Sequence, residues 1–365
     1  MGKLSSLMKQ YKDLMAQFEK GQLVGLDIGL SAVKVAVLSK TKKTFKLDKF
    51  ASIPLSEAAI IEDEVQKPEE IIHAISQAIH TAGIKKKIVN IGMDGPNTMT
   101  KRFQVPDGTK EEVEDNILWE SEQYIPFGAD DSEIDYHIIG DIPEDDVKDV
   151  LVAALRIDVA EKYMDYAKDA GLFTKVVDLN VLAITNLFEH VYEKDLDLYS
   201  DEGVIIIDFG AQTTTIIVYK NGAPVLTREL NVGGVLITEE IQRIMGVSYE
   251  EAEDLKTFGD ENGNLPEEIV GIIDSQVAEQ LAEIKKVLNF YIAAGSSEQI
   301  VNCLITGGGA KLPGMMEELA DLIGGDVKIF NPFERIELGK NFSKEEIQKI
   351  ATIGAVPIGL GLRLV

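Results

Sequence analysis

Apolar residues in this chain gather in short runs that end on an acid or a glycine turn. Residues 23–38 read L-V-G-L-D-I-G-L-S-A-V-K-V-A-V-L. An apolar run delivers Asp27, Gly29 and Ser31 follow in a turn, and a second apolar run returns. Residues 203–219 repeat the device. Val204 and the isoleucines after it deliver Asp208, the turn carries Gly210, Gln212, Thr213 and Thr214, and an apolar run returns to Tyr219. Each reads as strand, turn, strand. Two similarly framed hairpins about half a chain apart predict an internal duplication. A third run, 300–305, ends in Thr306-Gly307-Gly308-Gly309-Ala310, and Pro313 opens a helix. That order exposes bare backbone at a helix N-terminus to a flat or anionic ligand.

The remaining pattern fills in around these three elements. Residues 44–53 and 87–93 read as strands. Between them Pro68 opens a helix with Glu69 and Glu70 in its first turn and a stripe of Ile71, Ile72, Ile75, Ala78 and Ile79. Residues 97–156 read as an insertion with strands at 100–105, 133–139 and 147–157. Thr109 and Glu112 form a capping-box signature for its helix, which runs through Val113, Ile117, Leu118 and Trp119 and stops before Pro126. A helix is expected at 181–190 and a polar linker at 191–202. Asn221-Gly222 is a hairpin turn. Val232-Gly233-Gly234 leads into a helix with Ile237, Ile241 and Ile244 inward. A long helix follows at 266–294, and Ser343 starts a last one. At 1–20, Leu4, Leu7, Met8, Tyr11, Leu14, Met15 and Phe18 share one helical face, and lysines outnumber acids. Such a basic amphipathic segment suits weak contact with a membrane surface, a partner helix or the chain's own body.

Composition narrows the function classes. A chain of 365 residues can hold two domains, and 45% hydrophobic residues make it globular. A formal net charge of −26 argues against nucleic acid and against broad adhesion to anionic lipid. A single cysteine, Cys303, excludes an internal disulfide framework. The four histidines show no ligand spacing, so no structural zinc is expected. No apolar run has the length of a membrane span. The expected location is cytosolic or peripheral to a membrane.

The turns carry the candidate chemistry. Glycine and hydroxyl turns offer donors to a phosphate, and an acid at the strand end can hold a hydrated Mg²⁺. Two such hairpins followed by a G-G-G turn resemble the actin-like ATPase superfamily, whose members clamp a nucleotide between two similar halves. A narrower resemblance rests on W-E-S-E-Q-Y-I-P-F at 119–127, V-L-V-A-A-L-R at 150–156, A-G-L at 170–172 and V-V-D at 176–178. In this order they resemble the PilM family of type IV pilus assembly proteins, from about residue 22 to the end.

That resemblance implies an α/β actin-like ATPase fold: two duplicated βα halves, a nucleotide cleft between them and a small inserted FtsA-like subdomain. Half I would span 22–96, completed by 157–190 and 345–365; the subdomain 97–156; half II 203–344. The ligands implied are ATP and Mg²⁺. Asp27 and Asp208 would hold the metal through water. Gly29, Ser31, Gly210, Gln212, Thr213 and Thr214 would line the phosphates, with Gly233 and Gly234 at the following helix. Lys34 either reaches a phosphate or faces solvent. Glu253 and Lys256 would approach ribose or base, and Gly307, Gly308 and Gly309 would pack on the adenosine. The implied partners are the N-terminal peptide of a PilN-type inner-membrane protein, the pilus assembly ATPase and the platform protein.

Hydrolysis asks for more than binding: a positioned water and a group to orient it. Gln212 is the nearest polar candidate, by position only. The expectation is an ATP-binding adaptor with at most slow turnover. Two other readings share the superfamily. One is an FtsA-like membrane-associated division adaptor. The other is a small-molecule kinase, which needs an acid facing a bound hydroxyl; Asp94-Gly95 is its one candidate.

Overall fold

The computed structural model describes residues 23–363, apart from 58, 62–63, 86, 197–198, 200–201, 261–262, 294–299 and 341. The basic amphipathic segment at 1–20 lies outside the described residues.

The first hairpin forms as read. Strands β1 (Leu23–Ile28) and β2 (Ala32–Lys40) are antiparallel, and β3 (Phe45–Pro54) extends the meander. A small pair, β4 (Ile60–Ile61) and β5 (Glu64–Val65), precedes helix α1 (Pro68–Thr81), and β6 (Ile88–Met93) joins β1 in parallel. The insertion comprises β7 (Thr98–Pro106), α2 (Lys110–Glu122), β8 (Ser132–Ile142) and β9 (Val147–Arg156). Its helix starts on the expected capping box, Thr109 with Glu112. Then α3 (Ile157–Asp169) returns the chain to β10 (Phe173–Leu179), which lies parallel to β6.

Helix α4 (Asn180–Val191) leads to the second hairpin, β11 (Val204–Phe209) and β12 (Thr214–Lys220), extended by β13 (Ala223–Leu230). Helices α5 (Gly234–Met245), α6 (Tyr249–Phe258) and α7 (Glu267–Ala293) follow, and β14 (Asn302–Thr306) joins β11 in parallel. Helix α8 (Met315–Ile323) leads to β15 (Asp326–Ile329), parallel to β14. Finally β16 (Glu337–Leu338) adds to β3, and α9 (Lys344–Ile353) and α10 (Ala355–Leu362) close the described chain.

The duplication is visible in the wiring. One sheet runs β10-β6-β1-β2-β3-β16 and the other, read from its far edge, β15-β14-β11-β12-β13. Each contains a three-strand meander whose first strand is extended outward by two parallel strands in succession. Both faces of each sheet are covered, which is why the strands read as unbroken apolar runs. In β11, Val204 and Ile206 enter the core between the sheets, while Ile205, Ile207 and Phe209 enter the core under α5 and α7. The core between the sheets is filled by α4 and α10.

Those two helices approach very closely, and small residues make it possible. A Cβ at Gly359 would lie 2.0 Å from the Ala183 carbonyl oxygen, and one at Gly25 2.0 Å from that of Pro357. The expected last helix is two helices. They break at Gly354, where a Cβ would sit 2.5 Å from the Ile350 carbonyl oxygen. Pro357 then falls in the first turn of α10, where its missing N–H costs nothing.

Two other expectations change. The stretch 191–202 is more than a polar linker: Tyr192 and Tyr199 meet edge to face at 5.7 Å, and both pack on Phe188. Ile244 is 49% exposed, because the buried stripe of α5 is Ile237, Thr238 and Ile241. The insertion has its own small core of Val105, Val113, Ile117, Val150 and Val152 beneath a three-stranded sheet. Its β7 leans on half II: Arg102, held by Asp149, donates to the Lys220 carbonyl at 2.9 Å, and Thr100 and Thr227 share a hydrogen bond of 2.6 Å. Trp119 stays outside this core, 66% exposed on α2.

Candidate functional site

The two acids sit at the carboxyl-terminal ends of the first strands of the two meanders, where ligands of open α/β sheets bind. Their turns are built alike. The Gly29 N–H donates to the Ala32 carbonyl at 3.1 Å, and the Gly210 N–H donates to the Thr213 carbonyl at 2.9 Å. In both hairpins the glycine follows the acid by two residues and its acceptor follows the glycine by three. Those two amides therefore close the turns and are not themselves phosphate donors. A Cβ at Gly210 would lie 2.7 Å from the Thr213 carbonyl oxygen, so the second turn needs its glycine.

The cross-strand partners of the acids differ. Asp27 lies opposite Lys34, and the two form an ion pair of 2.9 Å with the carboxylate only 5% exposed. Asp208 lies opposite Thr215. Burial alone would lower the Lys34 pKa, but attraction to Asp27, and more weakly to Asp208 and Asp94, raises it above the ordinary lysine value. Burial lifts the Asp208 carboxyl to about 6, against the pull of Lys34 and with a further push from Asp27. The ammonium of Lys34 thus faces into the site, among three acids, rather than toward solvent. Asp94, the kinase candidate, accepts a hydrogen bond from Asn180 at 2.9 Å.

The second turn is joined to α5. The Gly234 N–H donates to the Gly210 carbonyl at 3.1 Å, and the Val235 N–H to the Ala211 carbonyl at 2.7 Å. A Cβ at Gly233 would meet the Ala211 carbonyl oxygen at 2.5 Å. Gly233 is therefore needed first for this close approach, whereas a Cβ at Gly234 would make only ordinary contacts, the nearest with Lys256 Nζ at 3.4 Å. Gln280, buried within the apolar stripe of α7, donates to the Gly233 carbonyl at 3.1 Å. Sequence reasoning missed it, although a lone amide among isoleucines was the available signal.

Glu253 and Lys256 arrive at the same place from α6. Lys256 Nζ donates to the Gly234 carbonyl at 3.1 Å, to Thr238 Oγ1 at 2.7 Å and to Glu253 Oε2 at 2.6 Å. Three partners match the three donors of an ammonium. Lys256 is thereby committed to locking α6 onto α5, whereas the Glu253 side chain remains 44% exposed. Thr214 departs from the phosphate expectation. It is fully buried, and its hydroxyl donates to the Val232 carbonyl at 2.7 Å, so it serves the sheet. Ser31, Gln212 and Thr213 stay at the turns, with Ser31 exposed.

The glycine triplet forms a shelf beside Asp208. Gly307 has φ +88°, and a Cβ there would lie 2.3 Å from the Phe209 carbonyl oxygen and 2.5 Å from Asp208 Oδ1. Its N–H donates to the Thr352 carbonyl, which also accepts from Thr306 Oγ1 at 2.7 Å. A Cβ at Gly308 would meet nothing within 4 Å, so this part of the shelf opens outward, whereas Gly309 packs on Phe209. The triplet continues into a 3₁₀ turn, Gly308–Lys311, and α8 begins only at Met315, after a left-handed Gly314. The shelf is bare backbone, as expected, but it is not the N-terminus of an α-helix.

A family model described as type IV pilus assembly protein PilM matches residues 25–365. The chain belongs to the PilM family. Among solved structures, a PilM-PilN type IV pilus biogenesis complex superposes with a TM-score of 0.81 at 27% identity, over 94% of this chain and 98% of that one. The ethanolamine utilization protein EutJ from Carboxydothermus hydrogenoformans shares the fold, with a TM-score of 0.54 at 16% identity, over 93% of this chain and 89% of that one. Cell division protein FtsA of Enterococcus faecalis is 24% identical over 359 residues, spanning 86% of this chain and 79% of that protein. FtsA of Streptococcus pneumoniae is 26% identical over 365 residues, 86% of this chain and 76% of that protein. This PilM-family chain has the actin-like α/β fold, and among its described residues no helix is long and apolar enough to cross a membrane.

Proposed function

We propose that this PilM-family protein is an ATP-binding adaptor of the type IV pilus inner-membrane assembly complex. The observation that carries the nucleotide reading is the convergence of two identically built acid turns and an open glycine shelf on one cleft. The residues present fit Mg–ATP. Gly307 lets the bare-backbone shelf close directly against Asp208, where a Cβ would clash, and two carboxylates suit Mg²⁺, which keeps most of its waters and borrows phosphate oxygens. Asp27 and Asp208 would hold the hydrated ion, which would screen the phosphate charge. The N–H groups at Leu30, Ser31, Ala211 and Gln212 and the hydroxyls of Ser31 and Thr213 would face the phosphates. Gly308 and Glu253 would border the nucleoside. Gln212 is the nearest polar candidate for orienting water, by position only, so we expect turnover below about 1 s⁻¹, the low end for kinases. Nucleotide then serves to set the arrangement of the halves, at the inner face of the cytoplasmic membrane.

The partner on this reading is the N-terminal peptide of a PilN-type membrane protein, with the assembly ATPase and platform protein beyond it. The peptide assignment follows the family resemblance, and a recess of about 10 Å³, lined by half I and by Asn97 at the start of the insertion, is the place proposed for the peptide's end. It is lined by Ile28, Leu30, Met93, Asp94, Asn97, Val159 and Tyr163, apolar side chains with one acid and one amide. Fluorescence anisotropy of a labelled PilN-type N-terminal peptide tests this. Val159→Glu is expected to weaken binding by about tenfold or more, the scale of an interface hot spot. Equal affinity for wild type and variant would move the peptide elsewhere.

A further inference from the structure

Two carboxylates and one ammonium share the heart of the cleft, and their arrangement is asymmetric between the duplicated hairpins. In the first, the residue opposite the acid is Lys34; in the second it is Thr215. Lys34 is bonded to Asp27 at 2.9 Å, its side chain is 19% exposed, and its charge interacts with Asp208 and Asp94 as well. Among the described residues no group of three or more histidine, cysteine, aspartate or glutamate side chains could hold a metal ion. The cleft thus has a cation at its centre before any metal arrives, held on one of the two carboxylates that a divalent ion would use.

We propose that Lys34 is a built-in placeholder for the metal: its ammonium occupies the electrostatic position between Asp27 and Asp208 and keeps free Mg²⁺ out until phosphates bring it. This inference rests on the nucleotide reading of the cleft and adds to it an order of entry. The protein selects the metal–nucleotide complex over the free ion. The physical argument is charge. A unit positive charge a few ångströms from the metal position repels a divalent ion and already neutralises one of its two carboxylates. When the metal comes with triphosphate, the added anionic oxygens offset that repulsion and offer the ammonium a new partner. The second hairpin shows what the site would be without the device, since a threonine stands at the matching register.

The experiment uses Mn²⁺ as probe and no nucleotide. Electron paramagnetic resonance counts free Mn²⁺ in solutions of the full chain. Wild type is compared with Lys34→Thr, which copies the second hairpin, with Lys34→Met, and with Lys34→Thr combined with Asp27→Asn. Both single variants are expected to bind Mn²⁺ at one site roughly tenfold or more tightly than wild type, and the double variant to lose that gain. Circular dichroism melts verify that each variant is folded, and two different replacements guard against one failing to fold. Equal, tight Mn²⁺ binding by wild type and variants would overturn the proposal. So would folded single variants that gain no site. Because nucleotide is absent, failure of ATP to bind is a separate result and would count against the nucleotide reading alone.

Discussion

Gly307→Ala is expected to lower ATP affinity by about tenfold or more, a change of roughly 1.4 kcal/mol in binding, while most of the fold persists. The position is demanding in two ways. Its φ of +88° is one that a residue with a Cβ rarely adopts. The added Cβ would also lie 2.3 Å from the Phe209 carbonyl oxygen and 2.5 Å from Asp208 Oδ1. The first of these is backbone at the end of a central strand and cannot step aside. The shelf must lift or Asp208 must turn, and either displaces the acid from the metal position. Gly308→Ala is the matched control for folding. Its Cβ would meet nothing within 4 Å, so its melting temperature should match wild type. Titration of a fluorescent ATP analogue reads the effect. Unchanged affinity in Gly307→Ala would place the nucleotide away from this shelf.

Gly359→Val should be among the most destabilising single changes in the chain. Helices α4 and α10 cross between the two sheets, with backbone against backbone. The Cβ of any replacement would sit 2.0 Å from the Ala183 carbonyl oxygen and 2.6 Å from its carbon. No flexible side chain is available to yield. Overpacking of a closed core costs about 1–3 kcal/mol or more, and at this contact the upper end is expected. For a chain of 365 residues that corresponds to a fall in melting temperature of roughly 4 °C. Differential scanning calorimetry of the nucleotide-free protein reads it directly. Gly271→Ala, at an exposed helical site with nothing within 4 Å, is expected instead to hold or slightly raise the melting temperature. Equal melting of Gly359→Val and wild type would mean that the helices can part without cost, and that they do not fix the two halves.

The hairpins were legible because burial on both faces leaves an apolar run in which one acid stands out. The matching spacing of acid and glycine carried the duplication, and the shared wiring of the two sheets follows from it. The capping box at Thr109 was legible because it is local chemistry. What escaped was tertiary. Lys34 could have faced either way, and its direction is set by its register opposite Asp27. Lys256 and Glu253 carried a nucleoside role by resemblance, but the lysine is occupied by Thr238 and the Gly234 carbonyl. Thr214 looked like a phosphate hydroxyl, but strand alternation turns it into the sheet toward Val232. Tyr192 and Tyr199 were hidden in a polar stretch in which Glu193, Lys194 and Asp195 are exposed while the two aromatics close the core between the halves.

These features share a logic. Each half brings one acid to the cleft on its first strand. Gly210, Gly233 and Gly234 fuse the second turn to α5, and Lys256 fuses α5 to α6. The Thr352 carbonyl ties the glycine shelf to α9, next to the close-packed α10. A ligand that bridges the two turns would therefore bear on the helices that hold the halves together. That is how a nucleotide could act by binding rather than by rapid turnover.

The central claim is that the paired acid turns bind Mg–ATP. The most direct measurement is calorimetric titration of ATP with Mg²⁺ into wild type and Asp208→Ala, with phosphate release followed in the same samples. The account predicts one nucleotide per chain in wild type and release slower than about 1 s⁻¹. It also predicts a loss of affinity in the variant of about a hundredfold, or 2.8 kcal/mol. Wild-type protein that binds no nucleotide, or an Asp208→Ala variant that binds as tightly as wild type, would contradict it.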